Sequence, residues 1–138
     1  MRSPADLTDA FRAAGLKVTP QRQLLFRLLH GNTAHPSAEV LFEQASEAMP
    51  GISLRTVYQT LNDLAAMGEL QSIEVVGGAV RFDPNVDDHH HAVCDSCGAV
   101  HDVYVSRAPK MTGLDGFDVK EAHIVYRGVC SSCASSTS

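Results

Sequence analysis

The chain has 138 residues, enough for one good core or two small ones, and 44% of them are hydrophobic with no apolar run approaching the ~20 residues of a membrane span. Met1-Arg2-Ser3-Pro4-Ala5-Asp6 contains no apolar signal core, which points to the cytoplasm. The net charge of −5 argues against indiscriminate nucleic-acid binding, but residues 1–82 carry seven Lys and Arg against eight Asp and Glu, whereas residues 83–138 carry four against eight. The first part can therefore still bind DNA if its cations cluster.

Ser3-Pro4 and Thr19-Pro20 each read as an N-cap followed by proline in the first helical turn, with stops at Gly15 and Gly31. The first helix has an apolar edge of Leu7 and Phe11; the second turns Leu24, Leu25, Leu28 and Leu29 inward and Arg22 outward. Ser37 caps a third helix, with Val40, Leu41, Ala45 and Ala48 on its buried side and Pro50-Gly51 closing it. Ser53 caps a fourth that buries Val57, Leu61, Leu64 and Ala65 and stops at Gly68, leaving Arg55, Thr56, Gln59 and Asn62 more exposed. Leu70–Val76 and Ala79–Phe82 are β-prone runs joined by Gly77-Gly78, a hairpin signal. Helices followed by such a ribbon give the order of a winged helix-turn-helix.

Beyond Asp83 short strands are expected at His89–Val93, Val100–Val105 and Phe117–Val129, the last two separated by Ser106–Gly116. The class is α+β, divided as a winged-helix domain over 1–82, a hinge over 83–88, a metal-binding domain over 89–133 and a disordered tail over 134–138.

All four cysteines stand in two Cys-x-x-Cys pairs, Cys94/Cys97 and Cys130/Cys133. Each pair puts two sulfurs on one tight turn, and two turns make a tetrahedral sulfur cage for a structural Zn²⁺. A redox pair would stand at a helix start after a strand, which a glycine-ended knuckle followed by another strand does not match. The zinc deaminase signature is absent, since His89-x-His91 replaces His-x-Glu and Val93 precedes Cys94.

In an extended His89–Val93, alternation places His89 and His91 on one face and His90 on the other. With Asp83 and Asp102 flanking them, these imidazoles offer a second ligand set suited to Fe(II), Mn(II) or Zn(II) rather than Mg(II). The bland alternative is a solvated histidine-rich strand. His35 before Pro36 reads by itself as a turn residue, and His30 and His101 as surface residues. A metal-dependent hydrolase would need a general base and a substrate pocket that the sequence does not suggest, and the capped helix series with its glycine wing weighs against a mere zinc-stabilised interaction module.

Gly15-Leu16-Lys17-Val18-Thr19-Pro20-Gln21-Arg22, Ala34-His35-Pro36-Ser37-Ala38, Ile52-Ser53-Leu54-Arg55-Thr56-Val57-Tyr58, Asp88-His89-His90-His91-Ala92-Val93-Cys94 and the two knuckles together resemble the ferric uptake regulator (Fur) family. The resemblance implies a homodimeric, metal-dependent repressor of palindromic double-stranded DNA, with a winged-helix domain, an α/β dimerisation domain and structural zinc on Cys94, Cys97, Cys130 and Cys133. It further implies a regulatory Fe(II) or Mn(II) on His35, Asp83, His89, His91 and Asp102. Iron sensors of the family usually carry Glu at the two carboxylate positions and peroxide sensors Asp, so the chain looks like the PerR branch, with His35 and His89 as the oxidation targets. An additional metal site would draw on Asp88, His90 and His123. DNA contacts would come from Arg55, Thr56, Tyr58 and Gln59 on the fourth helix and from Lys17, Thr19 and Arg22 on the backbone. The Ser106–Gly116 segment, interrupted by Pro109, Gly113 and Gly116, is shorter than the helix many members have there, so the dimer contact is expected to differ.

Overall fold

The computed structural model describes residues 1–75, 77–107, 111–120 and 122–136. It separates into two compact units, Met1–Val86 and Asp87–Ser138.

In the first unit, α1 (Pro4–Ala13), α2 (Pro20–Leu29), α3 (Ala38–Ala48) and α4 (Leu54–Ala66) precede β1 (Gln71–Ile73) and β2 (Arg81–Asp83). All four helices start as the sequence indicates: Ser3, Thr19, Ser37 and Ser53 each accept a hydrogen bond from the backbone N–H three residues on, at 3.1–3.2 Å. Such caps contribute about 1 kcal/mol each. α4 ends in a Schellman turn, with Glu69 N–H donating to Leu64 O at 2.9 Å, Gly68 N–H donating to Ala65 O at 3.1 Å, and Gly68 at φ +75°.

The core joins Leu7 and Phe11 to Leu24, Leu25, Phe26 and Leu29, and these to Leu41, Val57, Leu61, Leu64 and Phe82. Phe11 and Phe26 meet edge to face, centroids 4.9 Å apart. The inner face of α3 differs from expectation. Val40 is 43% exposed and Ala48 is also exposed, because the buried stripe runs Ala38, Leu41, Ala45, with Phe42 and Met49 packed beside it. Val40 lies one residue off that stripe, about 100° around the helix.

The wing is shorter than the β-prone runs. β1 pairs antiparallel with β2 only over Gln71↔Asp83, Ser72↔Phe82 and Ile73↔Arg81, and Glu74, Val75, Ala79 and Val80 stay outside the ladder. The turn closes as Gly78 N–H donates to Val75 O at 3.0 Å with Gly77 at φ +75°; Val76, the end of the expected strand, lies outside the described residues. Asp83, expected in a hinge, is the last residue of β2, and the first unit continues to Val86.

The second unit is a three-stranded sheet, order β4-β3-β5, in which β3 (His90–Cys94) runs antiparallel to β4 (Val100–Val103) and parallel to β5 (Val125–Gly128). Among the described residues the long strand expected over Phe117–Val129 reduces to β5, since β3 has only five residues to pair with, and Phe117 is 69% exposed; Glu121, within that expected strand, lies outside the described residues. Val100–Val105 likewise stops at Val103. The expected disordered tail is also corrected: α5 (Ser131–Ser136) carries Cys133 and continues through Ala134 and Ser135, whereas Thr137 and Ser138 lie outside the described residues. Within Ser106–Gly116, residues 108–110, including Pro109, are outside them too.

Candidate metal centres and recognition helix

Among the described residues of the second unit, the buried hydrophobics are only Val93, Cys94 and Val100. Beside them, the sulfurs of Cys94, Cys97, Cys130 and Cys133 all lie within 4.8 Å of one another. The first knuckle is shaped by Gly98, at φ +75°, whose N–H donates to Cys94 O at 2.9 Å. Cys130 and Cys97 aim their N–H groups at Cys94 Sγ, 3.3 and 3.5 Å away. The chemistry fits zinc: a Zn–S bond of about 2.3 Å implies a tetrahedral edge of ~3.8 Å, and Cys97 Sγ lies 3.8 Å from Cys130 Sγ.

Ionisation shows why a cation belongs there. The Cys94 thiol is drawn down to about 6, first by the Cys130 N–H and then by that of Cys97. Cys133, hydrogen-bonded to the sulfurs of Cys130, Cys97 and Cys94, is pushed up to about 12. Without a cation the cluster resists holding four thiolates.

One end of β3 carries the imidazoles. His91 stands opposite Asp102 on β4, and the Nε2 atoms of His89 and His91 both lie 3.3 Å from Asp102 Oδ1. The two rings meet edge to face at 4.6 Å, and His89 also stacks on Tyr104 at 5.4 Å. The alternation therefore holds: His90 has different partners, its Nδ1 accepting from Ile124 N–H at 2.9 Å. The solvated-strand reading fails, because His89, His90 and His91 are all buried. Of the additional set, His90 and His123 stack at 6.1 Å, while Asp88 is exposed.

In the first unit, His35 Nε2 lies 3.2 Å from Asp83 Oδ2, and both side chains are almost wholly buried. His35 is more than a surface turn residue. It is also the single described non-glycine residue at positive φ, +50°, a conformation that costs about 1–2 kcal/mol. Contacts from β2 offset that strain. Arg81 donates through Nε to His35 O and through Nη2 to Ala34 O at 3.1 Å, and Phe82 N–H donates to Pro36 O at 2.9 Å. Nothing in the sequence marked Arg81 for this, since a single cation on a wing strand has no pattern. Donor separations of 3.2–3.3 Å match the ~3.0–3.4 Å edges of a site with bonds near 2.1 Å, so both donor groups fit a transition metal.

On α4, Arg55, Tyr58, Gln59 and Asn62 are exposed and Thr56 is half-buried. Tyr58 donates its hydroxyl to Glu39 at 2.5 Å; this bond lowers the Glu39 carboxyl and raises the Tyr58 phenol, partners the sequence did not link. Lys17 is exposed. Arg22, expected outward, instead pairs with Asp63 at 3.0 Å with its guanidinium 5.4 Å from the Phe11 ring centroid, and Thr19 uses its hydroxyl as the α2 cap. His30 and His101 are exposed, and among the described residues no helix is long and apolar enough to cross a membrane.

Residues 13–127 match the model of the ferric uptake regulator family. The chain is 38% identical over 141 residues to the transcriptional regulator FurA of Mycobacterium tuberculosis, covering 97% of this chain and 94% of that protein. It is 30% identical over 128 residues to the peroxide-responsive repressor PerR of Staphylococcus epidermidis, covering 90% and 85%. Among solved structures, it resembles the Helicobacter pylori ferric uptake regulator with a TM-score of 0.77 at 19% identity, covering 97% of this chain and 93% of that one. The Campylobacter jejuni peroxide stress regulator gives 0.66 at 23%, covering 96% and 100%. These two likenesses show the fold.

Proposed function

This chain belongs to the ferric uptake regulator family and is a metal-responsive transcriptional regulator; within that family we propose that it is a dimeric DNA-binding repressor that senses hydrogen peroxide. The observation that carries the finer reading is the identity of the carboxylates: Asp83 and Asp102 are both aspartate, and each lies 3.2–3.3 Å from imidazole nitrogen.

In this reading Cys94, Cys97, Cys130 and Cys133 hold zinc permanently, and His35, Asp83, His89, His91 and Asp102 hold one exchangeable Fe(II) or Mn(II). Occupancy favours the DNA-binding state of the repressor, which is how a ligand shifts an equilibrium. When iron is bound, the chemistry it supplies is cleavage of the peroxide O–O bond, with one oxygen atom entering an imidazole C–H of His35 or His89 and the other leaving as water. The modified imidazole is a poorer ligand, and the DNA-binding arrangement is lost. Arg55, Tyr58 and Gln59 of α4 read a palindromic operator, with Thr56 and Lys17 near the backbone.

A second reading, an iron-, manganese- or zinc-responsive repressor without peroxide chemistry, is favoured by the higher identity to a protein named FurA than to one named PerR. Mass spectrometry of peptides from Fe(II)-loaded protein treated with peroxide separates the two. One added oxygen on His35 or His89, absent with Mn(II), supports sensing. Unmodified histidines together with metal-dependent operator binding support the second reading.

A further inference from the structure

We infer that His123 is the positioning residue of the exchangeable metal site, acting through His91 rather than as a ligand of an additional metal. The inference rests on the regulatory-site reading above and deepens it.

His91 is fully buried in β3 and has a partner at each ring nitrogen: Nε2 lies 3.3 Å from Asp102 Oδ1, and Nδ1 lies 2.7 Å from His123 Nε2. A neutral imidazole carries one N–H and one lone pair. To coordinate through Nε2, on the side of Asp102 and His89, His91 must keep its proton on Nδ1, and a buried N–H needs an acceptor. His123 Nε2 is placed to be that acceptor, with its own proton on Nδ1. In the opposite tautomer Nε2–H donates to Asp102, Nδ1 accepts from His123, and no lone pair faces the metal. The His91–His123 contact thus selects between a ligating and a non-ligating imidazole.

The backbone holds His123 for this. Ile124, the next residue, is tied to β3 twice: its carbonyl accepts from His91 N–H at 3.2 Å and its N–H donates to His90 Nδ1 at 2.9 Å. His90 also stacks on the His123 ring at 6.1 Å, which limits its rotation. The same atoms speak against a further metal on Asp88, His90 and His123. His90 has committed Nδ1 to Ile124, the His123 Nε2 lone pair is required by His91, and Asp88 is exposed. A metal on His123 Nε2 would remove the acceptor from His91.

The test is Mn(II) titration of the zinc-containing full-length protein, reading free Mn(II) by electron paramagnetic resonance, with the Co(II) absorption spectrum as a second signature. His123→Leu removes the acceptor and should weaken Mn(II) binding about 10- to 100-fold and alter the Co(II) spectrum. His123→Gln presents a carbonyl acceptor and should restore affinity to within about 3-fold of the parent, a rescue consistent with an outer partner's role. A Leu variant that binds as tightly as the parent, or Leu and Gln variants equally weak, would overturn the inference, as would loss of one bound Mn(II) in the Gln variant. His89→Ala is the control on the underlying reading. If the parent binds no Mn(II), or His89→Ala binds as tightly as the parent, the regulatory site itself fails and the inference with it.

Discussion

Replacing Cys97 with serine tests whether zinc holds the second unit together. Cys97 is exposed, so the change removes a sulfur without opening a cavity. The buried hydrophobics described in that unit are Val93, Cys94 and Val100, worth about 1.5–3 kcal/mol for each fully buried side chain. A structural zinc contributes roughly 10–16 kcal/mol, more than all three. If the four sulfurs share that energy evenly, losing one costs about 2.5–4 kcal/mol, or two to three orders of magnitude in zinc affinity. Zinc retention against a competing chelator measures the affinity, and a ¹H–¹⁵N spectrum reports each unit separately. Cys97→Ser should release zinc at chelator concentrations the parent withstands, and signals from residues 87–136 should collapse. Signals from 1–86 should persist, because that unit has its own core. A variant that keeps one zinc per chain as firmly as the parent, with the second unit's signals dispersed, would refute the reasoning.

The zinc site should also be acid-labile with a definite slope. Binding needs thiolates, so Cys133 at about 12 must give up a proton at every lower pH and Cys94 at about 6 adds a second below that value. Zinc affinity should therefore fall at least tenfold per pH unit between about 12 and 6 and at least a hundredfold per unit below, measured by chelator competition across pH. Arg81→Met removes the donors that hold the strained His35 loop, and should weaken Mn(II) binding about tenfold while lowering first-unit stability by about 1–3 kcal/mol in urea titration. Arg22 and Arg55 should separate cleanly. Arg22→Ala loses the Asp63 pair and the Phe11 contact, and should cost about 1–2 kcal/mol of stability with no change in the salt dependence of DNA binding. Arg55→Ala should leave stability unchanged but reduce the log–log salt slope by about 0.9 for a lost phosphate contact.

The features legible in the sequence were those set by local chemistry. Four caps, the Gly68 stop and the alternation of His89, His90 and His91 are decided within a few residues, and all stand where the pattern put them. Features set by what an element meets were not legible. Phe117–Val129 has strand-forming residues, yet among its described residues only Val125–Gly128 finds a partner strand. The helical pattern alone places Arg22 outward, whereas Asp63 and Phe11 on neighbouring helices hold it. Arg81, Glu39 and the His123–His91 contact depend on pairings 19 to 46 residues apart, which no spacing rule encodes.

Placing both donor sets on one strand has a mechanical consequence. β3 begins at His90 beside the imidazoles and ends at Cys94 in the sulfur cage. At about 3.3 Å per residue, His91 stands roughly 10 Å from Cys94 of the sulfur cage along a single extended backbone. That backbone is paired on both sides, His91 with Asp102 and Val125, Val93 with Val100 and Arg127. The cage anchors the far end of both pairings, because Cys94 is in β3 and Cys130 follows β5. A zinc in the cage would therefore hold the register that brings Asp102 and His123 to His91, without a cysteine touching an imidazole in these contacts. A one-residue slip would reverse the faces and carry His89 and His91 away from Asp102. On this argument a metal in the sulfur cage would support the imidazole site, so that losing the first would disturb the second, whereas the second could be emptied with the first intact.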